Sequence, residues 1–382
     1  MEFCLRVANR FLQKEAKTNG NNSACSPFSF NAILNMAAAG STGRTLDQFL
    51  HYLGSESVED LNSKTSALIR LVGSSSEISS TSGGLILSFV SGVWVDQSFP
   101  LNSSYQHLVQ RLYNAQAKTV DFQNKADEVK DEVNTWAENK TKGLIKDLVS
   151  NLAEDTIIVL ANALYFKGNW EKKFNASQTR DRDFHLLNGE KVSAPFMTSM
   201  NYQFFGSFDG FKLVKIPYQK GEDGRQFSMS IFLPNERDGL QSLIQQFESN
   251  NWFLHHLSEL RKVELDAFWI PKFKFSHKMD AKKTIKELGL TRPFEYHEEL
   301  TEISNTKGLV FSEIFQKCYI EVNEEGTEAA AATYMGKLKC RSGYTPPKPT
   351  FVADHPFIFM IREESFGVVL FTGAVINPLL KG

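Results

Sequence analysis

The side chains that could do hydrolytic chemistry are few, and their spacing does not form a catalytic motif. Asp354-His355 has the composition of an acid–base pair, but a proline follows it directly within a strand-like context, so we interpret the pair as structural. A cysteine–histidine hydrolase is the main enzymatic alternative. Neither Cys25 nor Cys340 lies in a recognised nucleophile motif. We therefore predict that the chain has no catalytic residue of its own.

Sites for a metal or a cofactor are not indicated either. The adjacent pair His255-His256 lacks the spacing of metal ligands, and the chain contains neither a G-x-G-x-x-G sequence nor a P-loop. The four cysteines are spread widely: Cys4, Cys25, Cys318 and Cys340. Without a C-x-x-C pair they indicate neither a zinc site nor a disulfide framework. We predict no cofactor and no metal.

One segment contradicts the pattern around it. Glu324–Thr333 reads EEGTEAAAAT, and its four alanines favour a helix with Thr327 as a possible cap. Yet it follows the strand-like Cys318–Asn323 directly and leads into Lys337–Pro349, which is basic and proline-rich and must be exposed. A helix followed by a surface loop is the simplest interpretation of this stretch.

Composition excludes several classes of protein. The chain has 382 residues, of which 42% are hydrophobic, and 42 basic side chains stand against 44 acidic ones. These values are typical of a globular protein with a large core and exclude disordered, collagen-like and coiled-coil chains. A net charge of −2 argues against nucleic acid or an anionic membrane as the main partner.

The N-terminus predicts a cytoplasmic protein. Its first 17 residues, MEFCLRVANRFLQKEAK, form an amphipathic helical pattern that carries charges and lacks the apolar core and cleavage site of a signal peptide. The longest apolar stretches, Ile157–Phe166 and Phe366–Ile376, are too short for a membrane span of about 20 residues. We expect that the protein does not bind a membrane and that it is a monomer.

The elements that would position these residues change type along the chain. Helical spacing dominates the first third, broken by one strand pattern over Leu85–Val95. The helical patterns are Asn31–Ala39, Thr45–Leu53, Val58–Leu71, Ser103–Gln116 and Lys125–Thr141. Strand patterns prevail from Ile157 onward, and the longest is Val263–Phe275; helical pieces at Gly239–Glu248 and Asp280–Leu288 interrupt them. Helices first and strands later, without a linker, predict one α+β domain over residues 1–382.

Five segments, taken in order, resemble the serpins, and specifically their plant-type members. They are Ser26-Pro27-Phe28-Ser29 with Gly40–Gly43, Leu160–Trp170, Asn323–Ala330, Phe351–Phe357, and Phe371–Gly373 with Asn377-Pro378. The resemblance covers nearly the whole chain. It implies about nine helices around three β-sheets and an exposed reactive-centre loop over about residues 324–350.

The resemblance also implies a mechanism. A target protease attacks the loop as a substrate and forms an acyl-enzyme, and the cut loop then inserts into the large sheet and distorts the protease before hydrolysis finishes. The hinge of that loop corresponds to Glu324, Glu325, Gly326, Thr327, Glu328, Ala329, Ala330, Ala331 and Ala332.

The hinge residues suit insertion for physical reasons. Alternate side chains of a strand face opposite sides, so Thr327, Ala329, Ala331 and Thr333 would face the core while Glu328 faces away. Every inward side chain is small or modestly branched, which lets the segment enter a gap without overpacking it.

The number of residues between the reactive bond and two family motifs indicates where this bond lies. Family spacing from the hinge glutamate and from Phe351 selects Cys340–Arg341, with Leu338 and Lys339 before the bond and Ser342 after it. Lys339–Cys340 and Arg341–Ser342 remain alternatives.

The resemblance implies trypsin-like, papain-like or metacaspase-type endopeptidases as partners. A serpin-fold protein that has lost inhibition and serves binding or storage is the second interpretation.

The resemblance further assigns residues that control opening of the sheet. Trp170 occupies the breach position, and Asn162 lies under the sheet centre. Ser26 and Ser29 belong to the region where the sheet parts, and Gln316 replaces a histidine that is frequent in the family. Because glutamine has a different reach, this replacement predicts a closed sheet that opens more easily.

Overall fold

The computed structural model describes residues 2–18, 20–73, 86–221, 224–247, 250–296, 298–326 and 347–381. Within these ranges it contains nine α-helices, six of them before residue 141. The helices are α1 (Glu2–Thr18), α2 (Pro27–Ala39), α3 (Gly43–Leu53), α4 (Val58–Gly73), α5 (Ser103–Tyr113), α6 (Phe122–Lys140), α7 (Leu240–Gln246), α8 (Asn250–Ser258) and α9 (Lys282–Glu287).

The strands of these ranges form three sheets. They are β1 (Ser23–Cys25), β2 (Ile86–Asp96), β3 (Ala115–Val120), β4 (Ile158–Lys167), β5 (Arg180–His185), β6 (Lys191–Thr198), β7 (Gln203–Phe208), β8 (Phe211–Pro217), β9 (Phe227–Pro234), β10 (Arg261–Val263), β11 (Ala267–Pro271), β12 (Phe273–Asp280), β13 (Glu313–Val322), β14 (Thr350–Val352), β15 (Phe357–Glu363) and β16 (Val369–Val375). The sheet orders are β1-β16-β15-β9-β8-β7-β10, β14-β11-β6-β5 and β12-β13-β4-β2-β3. We call the last, five-stranded one the central sheet. The predicted α+β class with about nine helices and three sheets is confirmed for the described residues.

The central sheet has one boundary of special interest. β4 and β13 are parallel and hydrogen-bond directly to each other, from Glu313↔Val159 to Tyr319↔Tyr165. The pairing ends there, although β13 continues to Val322 and β4 to Lys167. We call the β4–β13 boundary the seam. The seam is closed up to Tyr319↔Tyr165; beyond it the two strands no longer pair with each other, although β4 still pairs with β2 and β13 with β12.

Each face of the central sheet is covered by a helix. Helix α2 is buried at all 13 positions and packs in the larger core cluster with the side chains of Leu160 and Leu164. Its start is fixed by Ser26, whose Oγ accepts the Ser29 backbone N–H at 3.0 Å. Helix α6 lies on the opposite face, in a second cluster with Val159 and Ala161. Both strands of the seam are therefore packed on two sides.

Several element boundaries differ from the sequence-based prediction. The helix expected over Ser103–Gln116 ends at Tyr113, because Asn114 adopts a left-handed backbone at φ 50° and β3 begins next to it. The single strand expected over Val263–Phe275 is three strands, β10, β11 and β12, which belong to three different sheets. Strands β5 and β6 had no prediction.

Candidate functional site

The segment that follows β13 is anchored by its backbone. The Glu325 carbonyl accepts the Trp170 N–H at 3.0 Å, and the Glu324 carbonyl accepts the Phe174 N–H at 2.9 Å. The indole Nε1 of Trp170 donates to the Asn323 carbonyl at 2.8 Å. Three successive carbonyls are thus held by the chain that leaves β4. We call these three hydrogen bonds the anchor; they lie just beyond the ends of β4 and β13, at the open end of the seam.

The two hinge glutamates form ion pairs at the anchor. Glu324 is 8% exposed, and its carboxylate meets Lys272 Nζ at 2.8 Å and accepts the Thr179 hydroxyl at 2.7 Å. Burial alone would raise the pKa of Glu324, but the bonds from Lys272 and Thr179 outweigh it and lower the pKa. Glu324 therefore stays charged, and its stabilising contribution is lost as the pH falls through this lowered pKa. Glu325 pairs with Lys173 at 2.8 Å.

Gly326 occupies a position that tolerates no side chain. Its φ is +91°, and a Cβ built there would lie 2.2 Å from the Gly168 carbonyl oxygen and 2.5 Å from the Trp170 nitrogen. Both neighbours are backbone atoms, so they cannot rotate away. This position requires glycine both because of its positive φ and because there is no room for a Cβ atom.

Trp170 is the centre of an aromatic cluster beneath this anchor. It is 1% exposed and stacks on Tyr218 with ring centroids 4.4 Å apart and an interplanar angle of 13°. Phe174 meets the indole edge-on at 6.1 Å. The predicted breach residue therefore packs as a core aromatic and also binds the hinge backbone.

Polar side chains form a row across the otherwise apolar inner face of the central sheet. Ser91, Asn162 and Gln316 are directly paired positions on β2, β4 and β13, and all three are buried. Asn162 Nδ2 donates to the Val90 carbonyl at 2.8 Å and to Ser91 Oγ at 2.9 Å. We call Ser91, Asn162 and Gln316 the polar row.

Gln316 bonds to helix α2 and not to its neighbour in the row. Its Oε1 accepts the Ser26 N–H at 2.7 Å, and its Nε2 donates to the Ser26 carbonyl at 3.0 Å. Among the described residues, Asn162 Oδ1 has no hydrogen-bond partner, and neither does Ser29 Oγ. The structure thus brings Gln316 to Ser26, while Ser29 joins only through its backbone N–H. Within the described residues no side-chain hydrogen bond links Asn162 to Gln316 across the seam.

The predicted reactive bond and most of the hinge lie outside the described residues. These are Thr327, Glu328, Ala329, Ala330, Ala331, Ala332, Leu338, Lys339, Cys340, Arg341 and Ser342. On the far side of that stretch, Lys348 pairs with Glu264 at 2.8 Å, and the Pro349 carbonyl accepts the Asp266 N–H at 2.9 Å. The chain is therefore held on both sides of residues 327–346: before them by the segment that follows β4, and after them by the connection between β10 and β11.

The alternative hydrolytic groups are engaged in structural contacts. The ring nitrogens of the buried His355 lie 2.7 Å from Asp354 Oδ1 and 2.9 Å from the Pro234 carbonyl. Cys25 is fully buried, and burial raises the pKa of its thiol. Burial likewise raises the pKa of Cys4 to about 11. These thiols stay protonated at neutral pH and are poor nucleophiles.

Neither a metal site nor a membrane-spanning helix is present in the described parts of the chain. No group of His, Cys, Asp or Glu in the part of the chain that the structure describes could hold a metal ion. Among the same residues, the helices are too short or too polar to cross a bilayer.

Some contacts of the site were not predictable from the local sequence. Three of its partners are far from the hinge in the sequence and belong to no recognisable motif: Lys272, Thr179 and Lys173. Ser91 is different, because it interrupts the inward apolar pattern of Leu87, Phe89 and Val93 on β2. That interruption was a usable signal for a buried polar contact.

Comparison with known proteins gives consistent matches along the chain. The family model "Serpin (serine protease inhibitor)" matches residues 1–378. Serpin-ZX of Arabidopsis thaliana is 44% identical over 369 residues, which cover 95% of this chain and 93% of that protein. Serpin-Z7 of Hordeum vulgare is 42% identical and covers 99% of this chain and 95% of its own length.

Solved structures agree with these matches. The native stressed conformation of AtSerpin1 from Arabidopsis superimposes with a TM-score of 0.89 at 41% identity, covering 99% of this chain and 97% of that one. Serpin48 from the insect Tenebrio molitor, described as highly specific, gives a TM-score of 0.82 at 31% identity over 98% of both chains.

Proposed function

The chain belongs to the serpin family of protease inhibitors, and from this premise we propose that it traps endopeptidases as a suicide substrate. The observation that supports this mechanism best is the placement of Glu324–Gly326 at the open end of the seam. Pairing between β4 and β13 stops at Tyr165↔Tyr319, and the backbone of Glu324 and Glu325 is held by the chain just beyond the end of β4. A segment that reversed direction after Gly326 would run toward the open end of the seam.

Strand polarity favours such an entry. β4 and β13 are parallel, and a segment that turns back after β13 would run antiparallel to both. Antiparallel pairing is slightly more stable per residue than parallel pairing. Insertion would thus replace one parallel boundary with two antiparallel ones.

The chemistry of trapping begins at the bait bond, for which we propose Cys340–Arg341. The target's serine hydroxyl or cysteine thiolate attacks the Cys340 carbonyl carbon, and the peptide bond breaks. The amide nitrogen takes a proton and leaves as the new N-terminus at Arg341. Residue 340 becomes an ester or thioester of the protease, which insertion protects from hydrolysis. Lys339–Cys340 and Arg341–Ser342 are the alternative bonds.

We propose trypsin-like, papain-like and metacaspase-type enzymes as targets, acting in the cytoplasm. Lys339 and Arg341 suit a protease with an acidic specificity pocket if the bond is shifted by one residue. The cations Lys337, Lys339 and Arg341 would also speed encounter with an acidic protease surface.

A denaturing gel tests the proposal. The protein is mixed with trypsin and, separately, with a papain-like protease, and the released peptide is analysed by mass spectrometry. We expect a complex that survives denaturant and a peptide that begins at Arg341. Cleavage without a complex, together with no gain in heat stability of the nicked protein, would contradict inhibition and favour the binding or storage alternative.

A matched pair of variants tests insertion itself. Ala329→Arg places a large charge on the side that would face the core, and Ala330→Arg places the same charge on the outward side. We expect Ala329→Arg to be cut without forming a complex and Ala330→Arg to keep forming it. Equal behaviour of the two variants would contradict strand insertion in this register.

A further inference from the structure

A cleft of about 350 Å³ lies at the edge of the central sheet, between β3 and helices α5 and α6. β3 pairs with β2 from Ser91↔Ala115 onward, so the cleft lies where this edge strand begins. Ser91 at the inner end is buried, whereas Gln110, Asn114 and Lys140 are exposed. The cleft therefore leads from the protein surface to the strand that carries the first member of the polar row.

Carboxamide side chains dominate the lining of this cleft. They are Gln106, Gln110, Asn114 and Gln116. Gln106 Nε2 donates to the Ala117 carbonyl at 3.0 Å. The amide groups of the other three form no hydrogen bond with another described residue. Each carboxamide presents two donors and an acceptor, so the lining offers both kinds of group in quantity.

An aromatic ring and a single charge complete the lining. Trp136 is half-buried, and its ring is held edge-on against Trp94 with centroids 5.0 Å apart. Lys140 is the one charged side chain among the described residues that line the cleft, which include no carboxylate. The lining therefore favours neither a cationic ligand nor a highly charged anion.

We propose that this cleft binds a sugar of one or two rings. Hydroxyl groups both donate and accept, which matches the free carboxamides of Gln110, Asn114 and Gln116. The C–H face of a sugar ring is apolar and can lie against Trp136, since an indole offers apolar area together with a polar edge. A cleft of about 350 Å³ is within the size range of small-ligand sites.

Binding at this position would act on the central sheet. The sugar would contact β2, β3, α5 and α6 together, and Ser91 Oγ already accepts a hydrogen bond from Asn162 of β4. A ligand that binds this closed arrangement more tightly than an opened one stabilises it. We expect bound sugar to slow loop insertion; this consequence rests on the proposed inhibitory function, whereas the binding itself does not.

Calorimetric titration of the full-length protein with glucose, maltose and sucrose tests the site. At least one of these sugars should bind saturably with a Kd of about 1 mM or tighter. Gln110→Leu removes one carboxamide at the exposed rim, and Asn114→Gly removes another while allowing the left-handed backbone. Each variant should weaken binding about tenfold or more, a loss equal to that of one or two hydrogen bonds.

Gln245→Leu, an exposed glutamine on α7 outside the cleft, is the matched control and should bind like the unmodified protein. Absence of saturable binding by all three sugars would overturn the proposal, and so would equal binding by the Gln110→Leu and Gln245→Leu variants. A rise in melting temperature that is linear in sugar concentration and equal in all variants reflects exclusion of sugar from the surface and also counts against a site. Saturable binding by a protein that traps no protease would leave the site intact and refute the inhibitory function.

Discussion

At the scale of single residues, Gly326 is the position where the hinge tolerates least change. Its positive φ and the nearby backbone of Gly168 and Trp170 exclude any Cβ. Gly326→Ala should therefore displace the hinge from Trp170 and lower the free energy of unfolding by about 2–4 kcal/mol, combining conformational strain with a lost hydrogen bond. Thermal and urea unfolding measure this loss.

Gly143→Ala is the matched control for that substitution. Gly143 also has a positive φ, +83°, but no atom of a described residue lies within 4 Å of the Cβ position. It should show the cost of backbone conformation alone, about 1–2 kcal/mol. Equal losses in the two variants would mean that the contact with Gly168 and Trp170 does not constrain the hinge.

Gln316 gives a second prediction at this scale. Gln316→Leu removes the acceptor of the buried Ser26 N–H and should cost about 1–3 kcal/mol of stability, because that donor is left without a partner. Unfolding in urea would show the loss. The exposed Gln245→Leu should change stability by less than about 0.5 kcal/mol. A Gln316→Leu variant as stable as the control would mean that the Ser26 contact contributes nothing.

Residue types predicted the hinge but not what holds it. The sequence EEGTEAAAAT is distinctive, and the resemblance placed Gly326 within the hinge. The partners Lys272 and Thr179 come from other elements and have ordinary surroundings in the sequence. The expected effect of Gln316 also depended on geometry, because the reach of its carboxamide decides that it bonds Ser26 and leaves Asn162 Oδ1 without a partner among the described residues.

At the scale of elements, the connection between α6 and β4 covers part of the seam. Lys317 of β13 donates to the Lys146 carbonyl of this connection at 2.5 Å. Asn134 of α6 holds the same connection by two hydrogen bonds to the Val149 backbone, at 2.8 and 2.9 Å. A strand that enters between β4 and β13 must move this connection. In the proposed mechanism its attachment would contribute to the barrier to insertion.

Asn134→Ala should lower that barrier. Loss of two hydrogen bonds, about 1 kcal/mol each, should destabilise the native form by about 1–2 kcal/mol and speed insertion of the cleaved loop several-fold. The rate at which nicked protein becomes heat-resistant measures insertion. Asn139→Ala, an exposed position on the same helix, should leave this rate unchanged. If Asn134→Ala and Asn139→Ala inserted the cleaved loop at the same rate, the contacts of Asn134 would not contribute to the barrier to insertion.

Element type was predictable where apolar periodicity is strong and failed where it is weak. Helix α2 and strand β4 have continuous apolar patterns and were expected at nearly their observed positions. β5 reads RDRDFH and buries only Phe184, because it is the edge strand of its sheet and most of its side chains meet solvent. β3 was missed because the helical spacing of α5 continues past Asn114, where the backbone turns.

At the scale of the whole molecule, the native fold should be less stable than its nicked, inserted form. An inserted strand of about ten residues would add about ten net hydrogen bonds, or about 10 kcal/mol. For a chain of 382 residues such a gain should raise the melting temperature by about 12 °C. Calorimetry of the intact and the nicked protein measures it. An unchanged melting temperature after cleavage at the bait bond would contradict insertion.

Because the hinge is anchored at Gly326, the length of chain between this residue and Cys340 limits how far the reactive bond could move. Cys340 lies fourteen positions after Gly326 in the sequence. Fully extended at about 3.3 Å per position, this stretch would span about 46 Å. A protease attached at residue 340 would therefore be carried by a set length from one pole of the molecule toward the other, with the anchor as the origin. Lengthening or shortening residues 327–340 by two would shift its final position by about 7 Å. Under the proposed mechanism, loop length would therefore determine, independently of loop sequence, how closely the trapped enzyme is pressed against the far end of the inhibitor.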